Sequence, residues 1–112
     1  MANASDVLAQ LRSQYDSLNE KRDAVFADAS PFTADQRAAY VSAVNQALTN
    51  YLIAFNSLLS ASDDEVQHIA DAMKAAQKTL DNALGDLTAL ANKINLVTNA
   101  LSIVAQALTV IA

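Results

Sequence analysis

Charged residues are absent from two long stretches of this chain, residues 38–62 and 94–112. The other segments contain every Lys, Arg, Asp and Glu. In both stretches the apolar residues recur at intervals of three and four, which is typical of an amphipathic helix. Exposed apolar surface is unfavourable in water, so such a helix must be covered by its own bundle, another copy, a partner or a bilayer.

The scarcity of turn-forming residues predicts an all-α fold. One Gly and one Pro occur in 112 residues, whereas β-hairpin turns depend on residues such as Gly that adopt positive φ. The length is typical of a single domain, which we expect to cover residues 1–112. The expected elements are helix 1 at about 6–28, helix 2 at about 34–60 and helix 3 at about 63–112.

Capping signals locate the starts of the helices. Helix 1 is expected to begin after Ser5, a residue that favours the N-cap position. Thr33 with Gln36, and Ser62 with Glu65, have the spacing of capping boxes and predict the starts of helices 2 and 3. The expected core-facing residues of helix 2 are Val41, Val44, Leu48, Tyr51, Phe55 and Leu58.

The third segment carries an unbroken heptad pattern from Val66 to Ile111, typical of a coiled coil. A pattern of this length indicates either one long helix or two helices whose registers agree. We expect a continuous or bent third helix beside an antiparallel hairpin, about 75 Å long if straight. A turn near Gly85 would instead give an up-down four-helix bundle, and a bend or break is allowed anywhere from 83 to 93.

The end of this segment carries a second apolar seam beside the first. Two adjacent seams predict contacts with two neighbours, and a helix projecting beyond its hairpin would find those neighbours in another chain. The residues expected at that interface are Leu96, Val97, Leu101, Ile103, Val104, Leu108, Val110 and Ile111.

Charge and cysteine content exclude several classes of function. The net charge is −5 and the chain has no Cys, so neither a nucleic-acid partner nor a thiolate metal site is expected. The amino-terminal residues lack the basic and apolar regions of a signal peptide. We therefore expect a cytoplasmic protein, with non-classical export left open.

Catalytic chemistry is not expected. Asp64, His68 and Asp71 share one helix face at spacings suited to metal ligands, but the heptad register places that face in solvent. The sequence contains no Gly-rich phosphate loop, Ser–His–acid set or di-iron motif. We predict no catalytic residue, metal, cofactor or small-molecule substrate.

Two functions remain open at this point. The leading hypothesis is a non-enzymatic assembly protein that forms a homo-oligomer, or binds a helical partner, through its charge-free carboxyl-terminal helix. The alternative is a membrane-active protein, pore-forming or lipid-associating, whose uncharged segments 38–62 and 94–112 insert into a bilayer or lie on it.

Overall fold

The computed structural model describes residues 3–111 and confirms the all-α class, with no strand in that range. Its elements are α1 (Ala4–Asn19), α2 (Arg22–Val25), α3 (Ala34–Ser57), a 3₁₀ turn (Leu58–Ser60), α4 (Asp63–Ala83) and α5 (Leu87–Leu108).

The first helix starts earlier and ends sooner than the sequence predicts. Asn3, not Ser5, is the N-cap, since its Oδ1 accepts the Asp6 N–H at 2.8 Å. At the other end the Leu18 carbonyl accepts the Lys21 N–H at 3.1 Å and the Tyr40 hydroxyl. These bonds tighten the last turn, so α1 ends at Asn19 and a separate short helix, α2, follows.

Both predicted capping boxes are formed. The Thr33 hydroxyl accepts the Gln36 N–H at 3.1 Å, and the Gln36 side chain accepts the Thr33 N–H at 2.7 Å. The same reciprocal pair joins Ser62 and Glu65 at 3.2 and 2.8 Å. These bonds fix the starts of α3 and α4, because each satisfies two backbone groups that a helix end leaves without partners.

The segment expected to form one continuous or bent helix contains two helices, α4 and α5, separated by residues 84–86. Asp86 has an extended backbone with φ of −153°, and its Oδ1 caps α5 by accepting the Ala89 N–H at 2.7 Å. Gly85 does not adopt positive φ. The longest dimension of the described protein is 46 Å, which is consistent with a chain that reverses here.

The four long helices form a bundle in which α1 packs against α3 and α4, and α5 packs against the same two helices. The pairs α1/α5 and α3/α4 are therefore diagonal. Gln36 donates to the Ala91 carbonyl at 3.2 Å and Asn50 to the Leu101 carbonyl at 3.0 Å, so α3 and α5 run parallel. Gln14 of α1 contacts Met73 and Gln77 of α4. The turn lies near Gly85, as the up-down alternative expected, but the consecutive helices α3 and α4 are diagonal and not neighbours.

The heptad pattern of the third segment is buried almost throughout. Its residues in α4 and its residues from Leu90 to Leu108 in α5 lie in the core, whereas Leu87 and Ile111 are half-buried. The two helices therefore keep matching registers across the turn. The buried residues of the pattern are Val66, Ile69, Met73, Ala76, Leu80, Ala83, Leu90, Ile94, Val97, Leu101, Val104 and Leu108.

The buried face of α3 differs from the predicted one by about one residue position. Val44 and Leu58 are buried as expected, but Phe55 is exposed and Val41, Leu48 and Tyr51 are only half-buried. Small side chains dominate the inward face, which places larger apolar residues at the surface. The buried residues of α3 are Tyr40, Ala43, Val44, Ala47, Asn50 and Ala54.

Candidate interaction surfaces

The residues predicted to form an interface divide into three groups. Val97, Leu101, Val104 and Leu108 are buried within this chain, Ile111 is half-buried, and the other three are exposed. The first seam of α5 is therefore covered by the chain's own helices, because α5 folds back and does not project. This corrects the expectation that a second chain covers it.

The exposed group forms the α5 stripe, defined as Leu96 and Ile103 of α5 and Val110, two residues beyond its end, with exposures of 48–57%. A separation of seven residues brings side chains to nearly the same side of a helix. Ala100 and Ala107 lie beside the stripe and are almost fully buried. On the opposite flank of α5, the Ala91 carbonyl accepts a hydrogen bond from Gln36 of α3. The α5 stripe therefore lies on the α4 side of α5.

A second exposed apolar surface lies on α3 and the turn that follows it. Leu52, Phe55 and Leu59, here called the α3 patch, have exposures of 48–73%. The Phe55 ring packs beside the Tyr51 ring, with centroids 6.0 Å apart, and the Arg12 guanidinium of α1 lies 5.4 Å from the Tyr51 centroid. The α3 patch is therefore on the α1 side of α3.

Arg12 borders the α3 patch and is held by two interactions. Its Nε donates to Asp16 Oδ1 at 3.3 Å, one turn along α1. Hydrogen bonding to the Tyr51 side chain, followed by the interaction with Asp16, raises the pKa of the guanidinium above its ordinary value. Arg12 is therefore a fixed positive group at the edge of an otherwise uncharged surface.

The fold separates charged from uncharged helices. In α3 the ionised residues, Asp35 and Arg37, lie in the first turn, and α5 contains Lys93 alone. These two helices are neighbours, as are α1 and α4, which carry most of the charges. The charge blocks of the sequence thus become a charged side and an uncharged side of one bundle.

A polar groove of about 740 Å³ lies between α1 and α4. Gln14 is buried nearby, where its Nε2 donates to Gln77 Oε1 at 3.3 Å, and Gln77 donates in turn to Asp81 at 2.8 Å. Gln14 Oε1 has no hydrogen-bond partner within residues 3–111. Both Lys side chains and two of the carboxylates come from α4, and α1 contributes one carboxylate, so the groove is a charged contact between two helices. The lining includes Asp6, Asp71, Lys74, Gln77, Lys78 and Asp81.

The residues considered for metal chemistry are dispersed on the surface. Asp64, His68 and Asp71 are exposed, and Asp71 accepts a hydrogen bond from Gln67 at 2.9 Å. Within the described part of the chain, no group of three or more His, Cys, Asp or Glu side chains is placed to hold a metal ion.

The helices also bear on the membrane hypothesis. Between residues 3 and 111, no helix combines the length and the apolar content needed to cross a bilayer.

Comparison of the chain with protein-family profiles, curated proteins and solved structures gives no match.

Proposed function

We propose that this chain is a non-enzymatic assembly protein and that its α5 stripe binds a second copy of the same chain. The observation that supports this proposal is the exposure of Leu96 and Ile103 on α5, and of Val110 just beyond it, in a segment without charges after Lys93. Aligned apolar side chains that are half-exposed in one protomer are stabilised when a partner removes them from water.

The charge distribution favours a second copy at this surface. Each chain carries a net charge of −5, so two copies that meet through their charged sides repel each other. The α5 stripe itself contributes no charge, although the charged helix α4 lies beside it. Its exposed neighbours Asn99 and Gln106 are polar but uncharged, so covering them removes no ion from water.

The shape of the stripe also favours a helical partner. The seven-residue spacing follows the contact line between two packed helices. Ala100 and Ala107 are almost fully buried within this chain, so the surface offered to a partner consists of the three larger side chains. The proposed contact is thus a coiled-coil-like contact between copies.

Sedimentation equilibrium over a micromolar to millimolar concentration series tests the proposal. The wild type is expected to exceed the monomer mass of 11.9 kDa as concentration rises, and Ile103→Asp is expected to stay monomeric. Thr88→Asp is the matched control. It makes the same charge change at an exposed position of α5, about 22 Å along the axis from Ile103.

Far-ultraviolet circular dichroism of each variant establishes that loss of mass is not loss of fold. A wild type that remains monomeric throughout the series would refute self-assembly. Equal dissociation by Thr88→Asp and Ile103→Asp would show that added charge, not the stripe, is responsible.

The membrane alternative rests on the same exposed apolar residues and has its own test. Flotation with vesicles of neutral and of anionic lipid is expected to leave the protein unbound. The net charge of −5 is repelled by anionic lipids, and three half-exposed side chains offer little apolar surface to either kind of vesicle. Binding that Ile103→Asp abolishes would favour the lipid-associating function instead. A cytoplasmic location is part of the assembly proposal.

A further inference from the structure

Two junctions hold the halves of the bundle together. The hairpin of α1 and α3 meets the hairpin of α4 and α5 along an α1/α4 junction and an α3/α5 junction. Among the four neighbouring pairs of long helices, α1 and α4 have the least extensive contact, and the polar groove of about 740 Å³ lies between them. The α1/α4 junction is therefore the looser of the two.

The α3/α5 junction is closed by well-formed hydrogen bonds. Asn50 is fully buried there, where its Nδ2 donates to the Leu101 carbonyl at 3.0 Å and its Oδ1 accepts from Gln46 at 2.9 Å. Further along the junction, Gln36 donates to the Ala91 carbonyl at 3.2 Å. Both ends of the buried Asn50 amide thus have partners, and separating α3 from α5 breaks a satisfied buried contact.

The α1/α4 junction contains a buried amide that is only half satisfied. Gln14 is 2% exposed, and its Nε2 donates over long distances, 3.5 Å to the Met73 carbonyl and 3.3 Å to Gln77 Oε1. Its Oε1 has no partner among residues 3–111. Exchanging the N and O positions of Gln14 does not help, because Gln77 Oε1 would then face a second oxygen. A buried acceptor without a partner disfavours the closed junction.

We propose that the bundle opens along the α1/α4 junction while the α3/α5 junction stays closed. Each helix keeps its own backbone hydrogen bonds, and α1 stays with α3 because the Tyr40 hydroxyl donates to the Leu18 carbonyl. The core side chains of α1 and α4, such as Leu11 and Met73, then reach water. Partial openings of this kind arise where a fold has the fewest buried contacts. The opening is independent of the proposed assembly.

Thiol labelling of single-cysteine variants tests the opening, because the chain has no Cys of its own. Leu11→Cys on α1 and Leu101→Cys on α5 are a matched pair, since they make the same substitution at positions that are 1% and 0% exposed. Met73→Cys reports from the α4 side of the junction. Iodoacetamide modifies a buried thiol only while it is exposed, so the labelling rate relative to that of the unfolded chain gives the population of the open form.

The labelling is measured at a concentration where the protein is monomeric, and urea unfolding gives the unfolded population of each variant. Leu101→Cys is expected to be labelled only as fast as global unfolding allows. Leu11→Cys and Met73→Cys are expected to be labelled at least about tenfold faster than their own global unfolding allows. Adding Gln14→Leu to Met73→Cys removes the unpartnered acceptor and should reduce this excess by about tenfold.

Three results would overturn the inference. Labelling of all three thiols at the rates set by global unfolding would show that the α1/α4 junction does not open. An equal excess for Leu101→Cys would show that both junctions open, and an excess for Leu11→Cys alone would show that α1 frays by itself. If a Leu→Cys variant loses its helical circular dichroism, Val7→Cys in the groove wall and Val97→Cys in the α5 core are a milder matched pair with the same expectations.

Discussion

Leu101 and Ile103 are two residues apart on α5, but their side chains lie in different environments. Leu101 is fully buried in the core cluster that contains Tyr40 and Leu80, whereas Ile103 is 56% exposed. We expect Leu101→Ala to weaken folding and Ile103→Ala to weaken assembly. The pair therefore separates the folding of the protomer from its association.

The expected magnitudes follow from burial. Replacing a fully buried Leu by Ala lowers the free energy of unfolding by about 2.7–5 kcal/mol, because a cavity remains. Complete burial of an Ile is worth roughly 1.5–3 kcal/mol, and less than half of Ile103 is buried, so Ile103→Ala should cost about 1 kcal/mol. A domain of this size has a total stability of about 5–15 kcal/mol, which makes the difference readily measurable.

Urea unfolding followed by circular dichroism, at a concentration where the wild type is monomeric, measures both changes. Leu101→Ala should shift the midpoint by at least twice as much as Ile103→Ala. In sedimentation at higher concentration, Ile103→Ala should reduce the mean mass. Equal midpoint shifts, or a larger shift for Ile103→Ala, would refute the burial of the first seam within the protomer.

Three further predictions concern folding of the protomer. Burial raises the pKa of the Tyr40 phenol from 10.0 to about 12. The contribution of the neutral phenol to the free energy of unfolding is therefore complete below pH 10 and is lost as the pH rises towards 12. Over this range the urea midpoint should fall less for Tyr40→Phe than for the wild type. Gly85 has negative φ and open space where a Cβ would lie, so Gly85→Ala should raise the free energy of unfolding by about 0.4–1 kcal/mol; a midpoint decrease would contradict this geometry. Asp86→Ala removes the α5 N-cap and should lower stability by about 1 kcal/mol, with Asp86→Asn as the control that preserves the cap.

Much of the fold was predictable because its signals are local. The capping boxes at Thr33 and Ser62 depend on residues three positions apart, and the heptad of the third segment identifies buried residues of α4 and α5. The turn at residues 84–86 was harder to predict, since the heptad continues in register across it. Asp86 lacks the Glu or Gln three residues later that marks a complete capping box.

Two features depend on tertiary structure: which face of α3 is buried, and which apolar residues of α5 are buried or exposed. Apolar residues surround much of α3, so its sequence does not indicate which of them face α1 and α5. Val97 and Ile103 likewise have similar hydrophobicity, and the fold alone buries one and exposes the other. The α3 patch was missed for the same reason. The sequence does indicate it in one way: α3 has more large apolar residues than can all lie on a single inward face.

The link between Ser57 and Asp63 joins diagonal helices and divides the chain into two antiparallel hairpins, α1 with α3 and α4 with α5. In each hairpin the contacting residues are close together in the sequence, and such local contacts favour rapid folding. The halves then meet through α1 against α4 and α3 against α5. A chain cut within this link should consequently yield two fragments that recognise each other and restore the bundle.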